Sequence, residues 1–286
     1  LIRVDAQPRV TRAAALQWAR QHTDRLDARL LLEFICQCRQ AALIADPDVL
    51  LTAAQWPHYQ ALVMRRAAGE PLAYLVGEAG FYGLNLAVTP DVLVPRPETE
   101  DLVAWALELM QGLFAPQIAD LGTGSGAIAL ALAQARPNAR VLAVDISPAA
   151  LSVATVNRDR LGLDNVALCC ASWFDGWVVP GGLDLIVSNP PYIPATDPHL
   201  GGDGVRYEPL LALTDGADGL NAYRALAAGV SAHLKPGGWL LVEHGHDQSA
   251  AVAGLWQAAG LDPVMARQDL SGNPRMTAGQ RPEAST

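Results

Sequence analysis

Apolar residues near the start of the chain recur at helical spacing and are separated by short polar segments. Thr11 precedes the first such run and predicts a helix N-cap, and a second helix is expected to begin near residue 26. A third helix should follow Thr52 and end before Gly69, which suits a helix C-terminus. These helices are expected to bury a set of apolar side chains: Ala14, Leu16, Trp18, Leu30, Leu31, Phe34, Ile35, Trp56 and Tyr59. Helices with such short connections predict a small bundle.

From Gly77 onward the pattern changes to short alternating segments around turn residues. Apolar residues over 81–86 and 93–94 alternate about turns at 83–85 and 89–91, as they do in a β-hairpin. We interpret this segment as the hinge between two domains.

The segment Pro95-Arg96-Pro97-Glu98-Thr99-Glu100 predicts the start of another helix. Pro97 suits the first turn, and the acidic residues after it favour the positive end of the helix dipole. The side chains that this helix is expected to bury are Leu102, Val103, Ala106 and Leu109.

Past Pro116 the chain alternates between strand and helix patterns. Strands are predicted at 118–121, 141–144, 166–169, 184–188 and 239–243. Helices are predicted at 126–135, 148–161, 221–234 and 248–259. Such alternation is typical of an α/β fold with a parallel, doubly wound sheet and right-handed crossovers. The patterns together predict a helical domain over 1–76, a hairpin hinge over 77–96 and an α/β domain over 97–286.

Composition narrows the class of protein. With 51% hydrophobic and 17% charged residues, the chain of 286 residues can build a large core. Its formal net charge of −9 argues against a broad nucleic-acid-binding surface. The four cysteines, at 36, 38, 169 and 170, have neither zinc-site nor redox-motif spacing. With no signal peptide and no apolar run of transmembrane length, the sequence predicts a soluble cytoplasmic protein.

The stretch Asp120-Leu121-Gly122-Thr123-Gly124-Ser125-Gly126 closes the first predicted parallel strand and opens the next helix. Three alternate glycines let the backbone turn tightly and approach a ligand closely. The helix N-terminus then offers free N–H groups to a carboxylate or a phosphate. With Ala127 after it, the stretch also fits the relaxed dinucleotide fingerprint, so the motif alone does not choose the nucleotide-like ligand. The residues assigned to this cofactor site are Gly122, Thr123, Gly124, Ser125 and Gly126.

Asp145 ends the second predicted strand, 25 residues after Asp120. A carboxylate at that place can accept hydrogen bonds from both hydroxyls of a ribose. The alternative role is a helix N-cap before Pro148, for which Ser147 is better placed. Trp173 follows the third strand and is a candidate to stack on an adenine, although a place in the core explains it equally well.

A buried strand runs directly into Asn189-Pro190-Pro191-Tyr192. Two prolines cannot donate to a sheet ladder, so the strand must end there, at the edge where open parallel sheets bind ligands. The Asn189 side-chain oxygen and the Pro190 carbonyl form a pair of acceptors. Such a pair suits a planar group with two N–H donors, either a side-chain amide or an exocyclic base amine. Pro191 and Tyr192 are expected to sandwich that group; the alternative is a turn that only ends the strand.

His244 and His246 stand beside Glu243 and invite a metal-site interpretation. One strand end rarely supplies a whole site, and no further ligand cluster accompanies these residues in the sequence. We therefore interpret them as structural and expect no metal.

The glycine loop, Asp145 and residues 188–192 together resemble the S-adenosylmethionine-dependent methyltransferases that methylate amino groups. Further segments resemble the HemK/PrmC family of protein-glutamine methyltransferases, which modify peptide-chain release factors. These segments are 27–28 with 31–32, 69–75, 94–100, 242–245 and 269–275. The resemblance covers nearly the whole chain. The Asn-Pro-Pro-Tyr tip is specific for the chemistry, whereas 94–100 and the N-terminal helices indicate the substrate.

The resemblance implies a Rossmann-like, doubly wound class I methyltransferase sheet with a small all-α substrate-recognition domain joined by a β-hairpin. It implies S-adenosyl-L-methionine as methyl donor and the glutamine of the Gly-Gly-Gln loop in class 1 release factors as substrate. Asn189 and Pro190 would be catalytic, and Asn189 would also contact the cofactor. A monomer without direct nucleic-acid or membrane binding is expected. Ser172 departs from the family, whose members often carry an acid there for the adenine amine.

Three other functions compete with this interpretation. A nucleic-acid amino-methyltransferase shares the Asn-Pro-Pro-Tyr tip, but it needs a basic groove and a flipped base, which the acidic balance disfavours. A dinucleotide-dependent oxidoreductase shares the glycine loop but gives residues 189–192 no role. A catalytically silent binding module would have no reason to retain an intact cofactor loop.

Overall fold

The computed structural model describes residues 9–269 and 272–283. Its internal contacts divide the chain into two compact units, Leu1–Gly77 and Glu78–Thr286. The hairpin that the sequence predicts as a hinge lies within the second unit. No helix among the described residues is both long and apolar enough to cross a membrane.

The first unit is a bundle of five helices among its described residues. They are α1 (Arg12–Ala19), α2 (Arg25–Cys36), α3 (Gln40–Ala45), α4 (Gln55–Ala67) and α5 (Leu72–Val76). The predicted cap of α1 is confirmed, since Thr11 Oγ1 accepts a hydrogen bond from Ala14 N at 3.2 Å. Tyr59 is buried in the bundle core and donates from its hydroxyl to the Ala28 carbonyl at 2.7 Å.

Two details of this bundle correct the sequence-based expectations. The buried positions of α1 are Ala15 and Ala19, whereas Ala14 is exposed. In α2, Phe34 is 42% exposed and does not belong to the buried face. The buried residues of this helix are Asp27, Ala28, Leu31, Leu32 and Ile35. The short helices α3 and α5 carry no long apolar periodicity and were not predicted.

The second unit begins with a two-stranded hairpin of β1 (Glu78–Phe81) and β2 (Leu84–Ala87). The prediction that Leu93 and Val94 extend this hairpin is wrong, because these residues belong to no strand. The backbone N–H of Val94 instead donates to the Glu208 carboxylate at 3.2 Å.

The rest of the second unit is a seven-stranded sheet in the order β5-β4-β3-β6-β7-β9-β8. Its strands are β3 (Gln117–Leu121), β4 (Arg140–Asp145), β5 (Val166–Cys170), β6 (Leu183–Ser188), β7 (Leu234–Glu243), β8 (Val264–Gln268) and β9 (Pro274–Gln280). The first five run parallel, as predicted, and β9 and β8 are antiparallel. The two antiparallel strands were not predicted as elements. Residues 276–279 are nevertheless buried.

Helices cover both faces of this sheet, which makes it doubly wound. The helices are α6 (Glu98–Leu109), α7 (Ala127–Ala135), α8 (Pro148–Leu161), α9 (Leu210–Leu213), α10 (Asn221–His233) and α11 (Ser249–Ala258). Along β6, Leu185 and Val187 pack in one cluster with α6 and α7. Ile186, between them, packs in another cluster with α10 and α11. The alternation follows from the twofold period of strand side chains.

The strand order reverses at β3, whose neighbours are β4 on one side and β6 on the other. In open α/β sheets, ligands bind in the crevice at the carboxyl ends of the strands where this reversal occurs. The glycine loop follows β3, and Asn189 follows β6. The fold therefore brings the two predicted motifs to one crevice.

Asn157 of α8 joins the hairpin to the glycine loop. It is 1% exposed, exchanges hydrogen bonds with both backbone groups of Ala87 at 2.7 and 2.9 Å, and donates to the Ser125 carbonyl at 2.9 Å. Asn157→Ala should lower the free energy of unfolding by about 2–3 kcal/mol, because it leaves the backbone groups of the half-buried Ala87 and the buried Ser125 without these partners. Chemical denaturation checks this, with exposed Asn138→Ala as the matched control, expected within about 0.5 kcal/mol of the parent. Equal stabilities for the two variants would contradict the assignment.

Candidate active site

A cavity of about 530 Å³ lies over the glycine loop and the end of β6. The sequence-predicted residues in its lining are Gly122, Thr123, Gly124, Ser125, Asp145, Trp173, Asn189 and Pro191. The predicted residues Gly126, Pro190 and Tyr192 lie outside that lining. The cavity thus combines the predicted cofactor residues with part of the predicted substrate residues.

Two of the three glycines of the loop face the cavity, and the third serves packing. Gly122 and Gly124 have φ of +79° and +56°, and a Cβ on either would meet nothing within 4 Å. Their backbone therefore borders open space that a ligand can approach closely. At Gly126, with φ of +86°, an added Cβ would lie 3.0 Å from Leu130 and 3.3 Å from Ala154. Position 126 thus requires a glycine for two reasons. Its φ is positive, and a side chain would collide where α7 packs against α8.

Asp120 of β3 holds the glycine loop in place through hydrogen bonds. Its Oδ2 accepts hydrogen bonds from Thr123 Oγ1 at 2.6 Å and from Ala129 N at 3.1 Å. Oδ1 is buried and has no partner among the described residues. Burial raises the pKa of Asp120 to about 7. Thr123 therefore uses its hydroxyl to fix the loop.

Asp145 stands at the end of β4 with its carboxylate held by backbone donors. Gly124 N donates to Oδ2 at 2.8 Å, and Ser147 N donates to Oδ1 at 2.9 Å. The N-cap of α8 is Ser147, whose hydroxyl accepts from Ala150 N, so Asp145 is not the cap. Burial raises the pKa of Asp145. Each carboxylate oxygen keeps a further lone pair for a donor in the cavity.

Trp173 both packs and lines the cavity. Its ring contacts the core cluster on the α10 and α11 face, and its carbonyl accepts a hydrogen bond from Trp177 Nε1 at 2.9 Å. Ser172 lines the cavity beside it. Ile146, which the sequence analysis did not single out, also lines the cavity and is 54% exposed. An apolar residue directly after the carboxylate that ends a predicted strand is the sequence signal that could have identified it.

The tip after β6 keeps its acceptors available. Asn189 Nδ2 donates to Thr99 Oγ1 at 3.1 Å, while Oδ1 receives no hydrogen bond from any described residue. The carbonyl of the buried Pro190 likewise accepts none within the described part of the chain. Pro191 borders the cavity next to Asn189. The predicted pair of acceptors is therefore unused by the protein itself.

Sequence reasoning missed two residues that hold this tip, Thr99 and Glu243. Thr99 Oγ1 donates to Glu243 Oε2 at 2.6 Å. Glu243, at the end of β7, is 3% exposed, and burial raises the pKa of its carboxyl group. Both residues stand in segments that the family resemblance singled out, 94–100 and 242–245, and that position was the available signal.

Tyr192 is held by Glu243 and by the core of the second unit. Its hydroxyl donates to Glu243 Oε1 at 3.4 Å, and its ring packs against the core cluster on the α10 and α11 face. Burial raises the pKa of the Tyr192 phenol well above its ordinary value. The ring does not line the cavity, so its contact with a planar substrate group stays a prediction.

The cavity carries more acidic than basic side chains. Asp91, Asp145 and Asp215 line it together with Arg96. Arg96 is paired with the buried Glu208, whose other oxygen accepts from the backbone of Val94. Such a lining favours a positively charged ligand over a phosphate-rich one.

His244 is engaged on both ring nitrogens. Nε2 lies 2.9 Å from Thr277 Oγ1, and Nδ1 lies 2.9 Å from the Gly245 carbonyl. Burial lowers the pKa of this imidazole. Across residues 9–269 and 272–283, no group of three or more His, Cys, Asp or Glu side chains is arranged to hold a metal ion.

Known proteins resemble the chain in both of its parts. The profile of the PrmC N-terminal domain matches residues 11–77, and that of a methyltransferase domain matches residues 116–269. The release factor glutamine methyltransferase of Xylella fastidiosa strain Temecula1 is 48% identical over 269 residues, covering 94% of this chain and 98% of the relative. The enzyme of the same name from Burkholderia pseudomallei is 47% identical, covering 91% of this chain and 93% of the relative.

A solved methyltransferase from Pyrococcus furiosus shares the fold. Its TM-score is 0.51 at 18% identity, and the match covers 78% of this chain and 98% of that one. The two relatives are 48% and 47% identical over almost their whole length, which shows the family and not only the fold. The chain belongs to the release factor glutamine methyltransferase family.

Proposed function

We propose that the chain transfers a methyl group from S-adenosyl-L-methionine to the side-chain amide nitrogen of a release factor glutamine, the one in the Gly-Gly-Gln loop of class 1 factors. The observation that carries this proposal is the unused side-chain oxygen of Asn189, which lines a cavity built on the glycine loop, next to the unused carbonyl of Pro190. Family membership supports the same substrate.

The residues present fit S-adenosylmethionine. The open space beside Gly122 and Gly124 accepts a ligand close to the backbone. Asp145 has lone pairs for ribose hydroxyls, and Trp173 and Ile146 offer apolar surface for an adenine. When bound, the cofactor supplies an electrophilic methyl group on a positively charged sulfonium, which suits the acidic lining.

The acceptor pair performs two tasks on a glutamine amide. An amide nitrogen is a weak nucleophile, because its lone pair is delocalised into the carbonyl. Hydrogen bonds from its two N–H groups to Asn189 Oδ1 and the Pro190 carbonyl raise electron density on the nitrogen and direct it into the cavity. Orientation of this kind is worth effective molarities of about 10⁵ M or more. The surplus proton leaves to water, so no general base is required.

The first unit is the proposed substrate-recognition domain. Its residues 11–77 match the PrmC N-terminal domain, and it has its own core around Tyr59. A separate domain that binds the release factor away from the reacting loop contributes binding energy for orientation at the active site. A monomer in the cytoplasm, with no direct nucleic-acid binding, remains the expected state.

Asp145→Ala is expected to weaken S-adenosylmethionine binding by about 1–3 kcal/mol, because the ribose hydroxyls lose their acceptor. Titration calorimetry measures this directly, with the exposed Asp164→Ala as the matched control that should bind as the parent does. Equal affinities for the two variants would contradict the assignment of Asp145. Binding of a nicotinamide dinucleotide in place of S-adenosylmethionine would support the oxidoreductase alternative.

Transfer of labelled methyl groups to a panel of substrates tests the whole proposal. The panel holds an intact class 1 release factor, duplex DNA and ribosomal RNA, each incubated with the full chain. Label is expected in the release factor alone. Label confined to nucleic acid would overturn the proposal in favour of an amino-methyltransferase that acts on bases.

A further inference from the structure

The side chain of Asn189 is the end of a chain of hydrogen bonds that begins at a buried carboxylate. Glu243 Oε2 accepts from Thr99 Oγ1 at 2.6 Å, and Thr99 Oγ1 accepts from Asn189 Nδ2 at 3.1 Å. Thr99 and Glu243 are 4% and 3% exposed. The three residues come from the first turn of α6, the end of β6 and the end of β7. Because β6 and β7 are paired through Ser188 and Val242, Asn189 and Glu243 lie at neighbouring strand ends.

The direction of these hydrogen bonds follows from counting protons. Thr99 Oγ1 donates its single hydroxyl proton to Glu243 Oε2, as it must when Glu243 is a carboxylate, which only accepts. The Thr99 oxygen then has only lone pairs left for Asn189. It therefore selects the NH₂ side of the Asn189 amide and turns the carbonyl side away from itself.

We propose that Thr99 and Glu243 are positioning residues, which fix the Asn189 amide in the orientation that offers its oxygen to the substrate amide. This inference rests on the proposed function. The nitrogen and oxygen of an asparagine amide have nearly the same size, so packing alone distinguishes the two orientations poorly. In the reversed orientation Asn189 would present N–H donors to the N–H donors of the substrate, and one of the two acceptors would be lost.

Glu243, whose carboxylate sets the orientation of the Thr99 hydroxyl, is itself held in place by its backbone. Its carbonyl accepts a hydrogen bond from the Tyr223 hydroxyl at 3.0 Å, and Glu243 of β7 pairs with Met276 of β9. Tyr192 donates to the second carboxylate oxygen at 3.4 Å. Both carboxylate oxygens of Glu243 therefore accept hydrogen bonds from hydroxyl groups, one from Thr99 and the other from Tyr192.

Thr99→Val removes the hydroxyl at nearly constant volume and is the direct test of the proposal. It should lower kcat for an intact release factor by about 10- to 100-fold, the usual effect of a misplaced orienting group. The KM for S-adenosylmethionine should change by a smaller factor than kcat, because the orientation of the Asn189 amide matters most to the substrate amide. Thr99→Ser retains the hydroxyl and should recover most of the lost turnover. Thr155→Val, which removes a hydroxyl bonded only to its own helix, is the matched control and should keep the parent rate.

Glu243→Gln provides a second variant in case Thr99→Val does not fold. A glutamine amide has one oxygen for the two hydroxyls of Thr99 and Tyr192, so its nitrogen faces one of them. When that nitrogen faces Thr99, the hydroxyl proton turns to Asn189 and the reversed amide orientation is favoured. A kcat about 10-fold below the parent is expected, and parent kcat in both Glu243→Gln and Thr99→Val would overturn the proposal.

A readout independent of turnover is the hydrogen exchange of the Asn189 side-chain amide. In protein labelled with ¹⁵N-asparagine, the Asn189 signal is identified by its absence from the Asn189→Ala spectrum. Thr99→Val should speed exchange of the Nδ2 protons by about 10-fold or more relative to the parent and to Thr99→Ser. Unchanged exchange would overturn the positioning role even in an active enzyme. If the parent methylates no release factor, the proposed function fails, while the exchange data still decide whether Thr99 fixes Asn189.

Discussion

Asn189→Ala is expected to lower the rate of methyl transfer to the release factor by about 1,000-fold, while the protein stays folded and still binds S-adenosylmethionine. The substrate amide loses one of its two acceptors, and the remaining Pro190 carbonyl cannot orient the nitrogen alone. Removal of a single orienting hydrogen bond in a preorganised site costs about 100- to 1,000-fold, and lost alignment adds to it. Single-turnover kinetics, with circular dichroism and calorimetry on the same samples, measure the three quantities.

Two further variants sharpen this test. Asn189→Asp keeps an acceptor but adds a negative charge beside the cofactor site, so its rate should fall between those of Asn189→Ala and the parent. Asn138→Ala removes an exposed amide outside the cavity and should leave turnover unchanged. Parent turnover in Asn189→Ala would show that the acceptor pair is not the basis of catalysis.

A short peptide that contains the Gly-Gly-Gln sequence should be a poor substrate, with kcat/KM about 100-fold or more below that of the intact release factor. The peptide has the reacting amide but lacks the surface that the proposed substrate-recognition domain would bind. Binding energy from such a remote surface is used for orientation at the reacting group, so a truncated substrate loses kcat as well as affinity.

Steady-state kinetics of the full chain with peptide and intact factor compare the two directly. A scrambled peptide of the same composition, which should accept no methyl group, is the control. Equal kcat/KM for peptide and protein would mean that the reacting loop alone is recognised. The substrate-recognition role proposed for residues 11–77 would then be wrong.

The parts of the site that depend on local sequence were predictable. The glycine loop needs positive φ at Gly122 and Gly124 between a strand and a helix, and this requirement is visible in a few consecutive residues. Asp145 could be placed because the end of a parallel strand points to a known edge of the sheet. Asn189, which lines the cavity, could be placed for the same reason.

The parts that depend on distant pairings were not predictable. Thr99 meets Asn189 and Glu243 across sequence separations of 90 and 144 residues, and periodicity carries no information about which side chains meet at such distances. Leu93 and Val94 alternate like strand residues, yet Glu208, 114 residues beyond Val94, takes the backbone N–H that a strand would use. In both places a long-range hydrogen bond decided the structure.

Mass spectrometry of the release factor after reaction tests the central claim most directly. Fragment ions of the proteolysed factor should place the mass of one added methyl group on the glutamine of the Gly-Gly-Gln loop. A parallel reaction with Asn189→Ala should show almost none. A methyl group on another residue, or in added nucleic acid with the glutamine unmodified, would contradict the account.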